Sequence, residues 1–127
     1  MVELKRVGNF KELEYGDRKG PSLKDCIAAT PQEFEQQIIS YLKNGLCLAA
    51  SAGVARDVLA QKRKIIGVPD DLTDGVWGWY GDLEYYVRVY HCRLPEEFVL
   101  HMKSRNWQPP RKDEVDIQEL SRRLRGK

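Results

Sequence analysis

One stretch of sequence decides the fold of this chain: Thr73-Asp74-Gly75-Val76-Trp77-Gly78-Trp79-Tyr80-Gly81-Asp82-Leu83-Glu84-Tyr85-Tyr86-Val87. This aromatic run, residues 73–87, holds two of the three tryptophans and three of the six tyrosines. An aromatic side chain buries ~150–250 Å² and contributes strongly to the energy of cores and interfaces. The aromatic run is therefore either the centre of the core or a contact surface.

The first half of the aromatic run predicts a strand. Asp74-Gly75 is a turn dipeptide, and large residues follow it at alternate positions, so a strand is expected over residues 75–80. Trp77 and Trp79 project from the same face of that strand. We predict that Trp77 belongs to the core and that Trp79 and Tyr80 belong to a contact surface.

The second half of the aromatic run predicts a helix over residues 82–91, because Asp82 is a favourable N-cap residue. The apolar stripe of this helix, at positions i, i+3, i+4 and i+7, consists of Leu83, Tyr86, Val87 and Tyr90. Tyr85 lies off this stripe. We therefore expect Tyr85 to be the exposed aromatic residue of the helix.

Two further helices and a terminal segment surround the aromatic run. Thr30-Pro31-Gln32-Glu33 has the pattern of a capping box and predicts a helix over residues 31–44 with Thr30 at the N-cap. Leu94-Pro95 begins a helix over residues 95–105, since proline is tolerated in the first turn. After the paired prolines, residues 111–127 form a charged amphipathic segment. This segment is either a docked helix or a helix that folds on a partner.

Short apolar segments predict further strands at residues 46–51, 54–59 and 65–68. The first two are expected to form a hairpin across Ala52-Gly53, because glycine suits the turn. A helix over residues 53–64 is the alternative for the same stretch.

Length and composition indicate one folded domain. A chain of 127 residues with 42% hydrophobic and 31% charged residues has the size and composition of a single domain with one core. The predicted fold is α+β, with a small, mainly antiparallel sheet packed by three or four helices. Residues 1–110 form the globular domain, and residues 111–127 form the terminal helix or tail.

Charge and cysteine content narrow the functional classes. The 21 basic and 19 acidic residues interleave, which is not the concentrated basic patch typical of a nucleic-acid binder. Cys26, Cys47 and Cys92 lie far apart without a C-x-x-C motif, which favours reduced, buried thiols over a disulfide framework. The sequence shows neither a signal-like apolar segment nor a membrane span. We therefore expect a cytoplasmic protein with no membrane partner.

Few residues suggest catalysis. His91 and His101 are the only histidines, and either fits a general base. Carboxylates surround the aromatic run at Asp70, Asp71, Asp74 and Asp82. There is no metal-ligand spacing and no phosphate loop, so neither a metal nor a cofactor is expected. The alternative function is a small hydrolase or transferase that uses these carboxylates, Asp70 to Asp82, with His91 or His101.

The ordered pattern of the aromatic run resembles a family of small uncharacterised bacterial proteins. The resemblance rests on Thr73-Asp74-Gly75-x-Trp77-x-Trp79, Leu83-x-Tyr85-Tyr86-Val87 and Leu94-Pro95-x-x-Phe98, with Gly16-Asp17, Gly20-Pro21-Ser22-Leu23, Tyr41-Leu42-x-x-Gly45 and Asp57. It spans about residues 15–110, and Tyr80 stands where that family usually has proline. The family has no established activity and is similar in size to small immunity or antitoxin-type proteins. The resemblance implies a soluble, immunity-like interaction protein with no catalytic residues to transfer.

We therefore expect a non-enzymatic protein-binding domain with an acidic aromatic contact surface. The candidate binding residues are Asp71, Asp74, Trp79, Tyr80 and Tyr85. Residues 70–87 contain no cation, so this surface suits a basic partner protein such as a nuclease-type toxin.

A cluster of three cations, Lys62-Arg63-Lys64, precedes the aromatic run. Such a cluster is usually an ordinary solvated face. The alternative is a site where an acidic partner docks.

Overall fold

Six strands and four α-helices occur in residues 4–125, the part of the chain that the computed structural model describes. The strands are β1 (Lys5–Arg6), β2 (Leu46–Ala49), β3 (Ala55–Arg56), β4 (Ile65–Gly67), β5 (Asp71–Thr73) and β6 (Trp77–Tyr80). The helices are α1 (Glu35–Lys43), α2 (Leu83–Tyr90), α3 (Glu96–Ser104) and α4 (Ile117–Arg125), with short 3-10 helices at Leu23–Asp25 and Lys112–Glu114.

Four strands form the main sheet in the order β1-β6-β5-β2. The β6–β5 and β5–β2 pairs are antiparallel, whereas β1 runs parallel to β6. Trp79 lies opposite Leu72, and Gly78 lies opposite Thr73. Strands β3 and β4 form a separate antiparallel sheet of two strands. The predicted single α+β domain with a mainly antiparallel sheet is confirmed.

The core lies where the aromatic run meets α1 and α3. Trp79 is fully buried, and its indole Nε1 donates a hydrogen bond to the Leu42 carbonyl oxygen at 3.1 Å. Its ring centroid lies 6.0 Å from that of Tyr41 and 5.6 Å from that of Phe98. Trp77 lies 4.9 Å from the same Phe98 ring. Both tryptophans therefore pack against the helices, and the aromatic run is the centre of the core.

The predicted hairpin of residues 46–51 with 54–59 is wrong, and so is the alternative helix over residues 53–64. Strand β2 instead pairs with β5, and β3 pairs with β4. At the end of the β2–β5 pair, the Ser51 N–H donates to Asp70 Oδ1 at 2.7 Å, which joins the segment after β2 to the residue before β5. Strand pairing depends on packing against distant partners, which a local pattern does not reveal.

The predicted start of the first helix is also wrong, whereas the predicted start of the helix after Asp82 is correct and only its side-chain cap is absent. Helix α1 begins at Glu35 because residues 32–35 form a turn, in which the Glu35 N–H donates to the Gln32 carbonyl oxygen. Phe34, in the left-handed conformation with φ of 60°, stands at the N-cap instead of Thr30. Asp82 precedes α2 with a helical backbone conformation and makes no side-chain cap. Its carboxylate instead accepts a hydrogen bond from the Tyr15 hydroxyl.

The segment after the paired prolines ends in helix α4, which packs against β2 and buries Leu120. Residues 1–3 and 126–127 of the predicted ranges lie outside the described residues. In the described part of the chain, no helix is both long and apolar enough to cross a membrane.

Candidate protein-interaction surface

The five residues predicted to form the acidic aromatic surface do not lie together on the exterior. Trp79 is fully buried, and Asp74 and Tyr85 are only 3% and 6% exposed. Asp71 and Tyr80 remain partly accessible. The predicted exposure of Trp79 and Tyr85 is therefore wrong, because both side chains fill the interior.

Asp71 and Tyr80 are both held by Arg6 of β1. Arg6 Nη1 lies 2.7 Å from Asp71 Oδ1, and the guanidinium carbon lies 4.8 Å from the Tyr80 ring centroid. The Tyr80 hydroxyl donates to the Tyr15 carbonyl oxygen at 2.9 Å. These contacts attach the N-terminal segment to the main sheet.

Three buried aspartates each accept a hydrogen bond from a tyrosine hydroxyl. The pairs are Tyr41 with Asp74, Tyr85 with Asp57, and Tyr15 with Asp82. A buried carboxylate is strongly destabilising unless hydrogen bonds compensate for its lost hydration. The acidic and aromatic residues of the aromatic run thus contribute to a set of interior hydroxyl–carboxylate contacts.

The buried Asp74 carboxylate accepts hydrogen bonds from three different groups. Besides Tyr41, it accepts hydrogen bonds from the backbone N–H groups of Val76 and Trp77 at 2.9 and 2.7 Å. His101 Nε2 lies 3.1 Å from Asp74 Oδ2 but is not aligned for a hydrogen bond. Asp74 therefore organises the turn between β5 and β6.

The structure brings together one histidine and one carboxylate of the alternative, enzymatic function, because His101 Nε2 lies 3.1 Å from Asp74 Oδ2. The other candidates lie apart from this pair. Asp70 accepts the Ser51 N–H, and His91 Nδ1 lies 2.9 Å from Glu35 Oε2, a carboxylate outside the predicted set. Among the described residues, no group of three or more His, Cys, Asp or Glu side chains is placed to hold a metal ion.

Branched aliphatic side chains are exposed on the small sheet and its flanks. Val54, Ile65 and Val68 are 47%, 56% and 45% exposed. They all belong to residues 54–68, the β3–β4 arm, which consists of β3, β4 and their connection. Val54 and Val68 flank the paired residues Ala55 and Gly67 and so lie at the same end of the small sheet, which makes this end a candidate interaction site.

The β3–β4 arm also carries four exposed cations, Arg56, Lys62, Arg63 and Lys64. None of the four forms a salt bridge within residues 4–125. Asp57, the single acidic residue of the arm, is buried. The arm therefore exposes both apolar and positively charged side chains.

Asp57 fastens the arm to helix α2. Its Oδ2 accepts hydrogen bonds from Tyr85 and Tyr90 at 2.6 and 2.7 Å, and its Oδ1 accepts the N–H groups of Leu59 and Ala60. Burial alone raises the pKa of Asp57, but these hydrogen bonds outweigh burial and hold the pKa below its ordinary value. Asp57 is therefore an ionised anchor in the interior.

Tyr86 provides a second attachment of the arm. Its hydroxyl donates to the Arg56 carbonyl oxygen at 3.0 Å and accepts the Val58 N–H at 3.2 Å. Hydrogen bonds from Tyr85, Tyr86 and Tyr90 of α2 therefore hold the β3–β4 arm in place.

The sequence pattern identified the cations of the arm but not its exposed aliphatic residues. The strands predicted at residues 54–59 and 65–68 do not by themselves show which of their apolar side chains face solvent. The sequence signal for this surface is that the cations Lys62-Arg63-Lys64 are followed directly by the apolar residues Ile65-Ile66.

Comparisons of the chain with protein-family models, curated proteins and solved structures gave no match. The resemblance to a family of small bacterial proteins, and the immunity-like character that it implies, stays a prediction.

Proposed function

We propose that this protein is a non-enzymatic binding domain that recognises an acidic partner protein through the β3–β4 arm. The observation that carries the proposal is the exposure of Val54, Ile65 and Val68 on an arm with four exposed cations that form no salt bridge within residues 4–125. The protein-binding class is the one expected from sequence. The proposed contact surface and the charge of the proposed partner differ from those expected from the sequence.

The proposed partner is acidic rather than basic because most of the acidic and aromatic residues of the predicted surface are buried. A basic partner was expected because residues 70–87 contain acids and no cation. Asp74 and Asp82 are buried, and Asp71 is paired with Arg6. The cations of the arm, in contrast, face solvent, and they would attract an acidic surface and orient its approach.

The aliphatic residues supply the affinity in this proposal. Removing a Val or Ile side chain from water contributes about 1.5–3 kcal/mol when burial is complete. Val54, Ile65 and Val68 leave about half of each side chain available for that purpose. The partner therefore presents an apolar centre with acidic residues around it.

A nucleic acid is also acidic, but the arm lacks the groups that bind bases. Residues 54–68 contain no aromatic residue, whereas proteins that bind single strands stack bases on aromatic rings. Exposed aliphatic side chains suit a protein surface better.

The test compares two variants with matched exposure, Ile65→Ser on the arm and Leu100→Ser on α3. Both side chains are 56% exposed in the native protein. Proteins captured from the native host by the wild-type chain are identified, purified and titrated against both variants and against Lys62→Glu/Arg63→Glu. Circular dichroism checks that every variant is folded.

We expect Ile65→Ser and the charge-reversal variant to weaken binding at least tenfold, which corresponds to ~1.4 kcal/mol. Leu100→Ser should bind like the wild type, and added salt should weaken the wild-type complex. The proposal is overturned if no protein is captured, if the captured ligand is a nucleic acid, or if Ile65→Ser and Leu100→Ser behave alike.

A further inference from the structure

Two cysteines that are distant in sequence lie side by side. Cys26 follows the 3-10 helix at Leu23–Asp25, and Cys92 follows α2. The Arg93 N–H donates to the Cys26 carbonyl oxygen at 2.7 Å, and the Ala28 N–H donates to the Tyr90 carbonyl oxygen at 3.1 Å. The Cys26 thiol donates to the Ser22 carbonyl oxygen at 3.4 Å, and the Cys92 thiol donates to the Arg93 carbonyl oxygen at 3.7 Å. The two backbone hydrogen bonds place the two cysteines side by side, and both are free thiols.

The backbone brings Cys26 next to Cys92, because Arg93, the residue after Cys92, donates its N–H to the Cys26 carbonyl oxygen at 2.7 Å. A disulfide requires a Cα–Cα distance of about 4.4–6.8 Å. A direct backbone hydrogen bond between Cys26 and the neighbour of Cys92 is compatible with that range.

Only one of the two thiols is reached from solvent. Cys26 is half-buried and lines a surface cleft of about 290 Å³ together with Pro21, Leu94 and Pro95. Cys92 is fully buried. A small oxidant can enter this cleft and meet the Cys26 sulfur first.

The two thiols also differ in how readily they ionise. Burial raises the pKa of both thiols above the ordinary value, and the neighbouring Cys92 thiol offsets only part of that rise at Cys26. Contact with Cys26 raises the pKa of Cys92 further. Cys26 is therefore the thiol that becomes a nucleophile first, since the thiolate is the reactive form.

We propose that Cys26 and Cys92 form a peroxide-sensitive pair that closes to a disulfide. The Cys26 thiolate attacks one oxygen of hydrogen peroxide, the O–O bond breaks, and Cys26 sulfenic acid and hydroxide form. The Cys92 thiolate then attacks the sulfenic sulfur, the S–O bond breaks, and a second hydroxide leaves. The two thiol protons convert both hydroxides to water. The thiols lose two electrons, and peroxide gains them.

Cys47 provides the matched control. It lies exposed on β2, away from the Cys26–Cys92 contact, so oxidation of Cys47 should lead to separate products. Cys47→Ser should leave formation of the internal disulfide unchanged.

The experiment treats the full-length protein with hydrogen peroxide, blocks the remaining thiols by alkylation, and maps peptides by mass spectrometry. We expect a peptide pair linked through Cys26 and Cys92, with a mass lower by two hydrogen atoms. The rate of linkage should rise between pH 7 and pH 9 because thiolate is required. In Cys92→Ser, oxidation should stop at Cys26 sulfenic acid, which the probe dimedone traps.

Two further readouts keep the outcome decisive if the Cys92→Ser variant folds poorly. The wild-type linkage is measured without any substitution, and the oxidised Cys47→Ser protein should unfold at a higher temperature than its reduced form. The inference is overturned if peroxide links only Cys47 residues of two molecules. It is equally overturned if Cys26 is oxidised further while Cys92 stays a free thiol.

Discussion

Tyr85 donates its hydroxyl to Asp57 Oδ2 at 2.6 Å, which joins helix α2 to the segment that follows β3. Both partners are buried. Burial and the neighbouring Asp57 carboxylate raise the pKa of Tyr85 to about 12, so the phenol keeps its proton at neutral pH and remains a donor. A residue that helical spacing assigns to solvent therefore has an interior structural role.

Tyr85→Phe should lower the free energy of unfolding by about 1.5–3 kcal/mol, because it removes a hydrogen bond to a charged group. Tyr80→Phe is the control, since the Tyr80 hydroxyl donates to a neutral carbonyl of Tyr15. Its expected cost is about 0.5–1.5 kcal/mol. Urea unfolding of both variants measures the difference. Equal losses would contradict the charged character of the Tyr85–Asp57 contact.

Asp57 should stabilise the fold in a pH-dependent manner. Its pKa is lower in the folded state than in the unfolded chain, where the ordinary value is about 3.9. Its contribution is therefore complete above that unfolded pKa and is lost as the pH falls through the folded pKa. Asp57→Asn should be less stable than the wild type at pH 7, and the difference should shrink in acid. Thermal unfolding from pH 2 to pH 7 measures it, and a constant difference would disprove the assignment.

The sequence predicted the parts of the aromatic run that depend on local spacing. Leu83, Tyr86 and Val87 are buried as the helical stripe requires, and Trp77 belongs to the core. Tyr85 differed because the β3–β4 arm contacts α2 at Tyr86 and Tyr90 of the predicted stripe and also beside the stripe at Tyr85. The buried face of the helix is therefore wider than the predicted stripe, which local spacing does not show.

Nonlocal contacts explain the remaining differences. Asp82 has the residue type of an N-cap, but its carboxylate accepts the hydroxyl of Tyr15, a residue from a distant loop. Strand β2 pairs with β5 rather than with the next apolar segment. The charged part of the candidate surface was visible as Lys62-Arg63-Lys64. The exposure of Ile65 required knowledge that β4 belongs to a separate sheet of two strands.

Gly45→Ala should destabilise the protein by about 1–3 kcal/mol, as overpacking of a core does. A Cβ atom at position 45 would lie 2.5 Å from Cζ2 of the fully buried Trp79 ring, which has no room to move. Gly53→Ala is the matched control, because a Cβ there would meet only Ser51 Oγ at 3.6 Å. Chemical denaturation should show no loss for Gly53→Ala. A neutral Gly45→Ala variant would contradict the tight contact with Trp79.

Asp82 should give a pH dependence opposite in sign to that of Asp57. Burial raises the pKa of Asp82 to about 6, although the hydrogen bond from Tyr15 lowers it in part. Between about pH 4 and pH 6 the folded state keeps a proton that the unfolded chain has released. The stabilising effect of that bound proton is complete below the unfolded pKa and is lost as the pH rises through 6. The wild type should therefore lose about 2–3 kcal/mol of this contribution over that range, given ~1.4 kcal/mol for each unit of pKa difference.

Asp82→Asn isolates this effect, because the asparagine amide does not titrate. The free energy of unfolding of the variant, relative to the wild type, should increase from pH 4 to pH 6 and then stay constant. Tyr15→Phe removes the hydrogen bond that lowers the pKa of Asp82, so in that variant the loss of stability should extend to higher pH. Urea unfolding at half-unit pH intervals measures all three proteins. A wild type and an Asp82→Asn variant with parallel profiles would show that Asp82 is already ionised in the fold at pH 4.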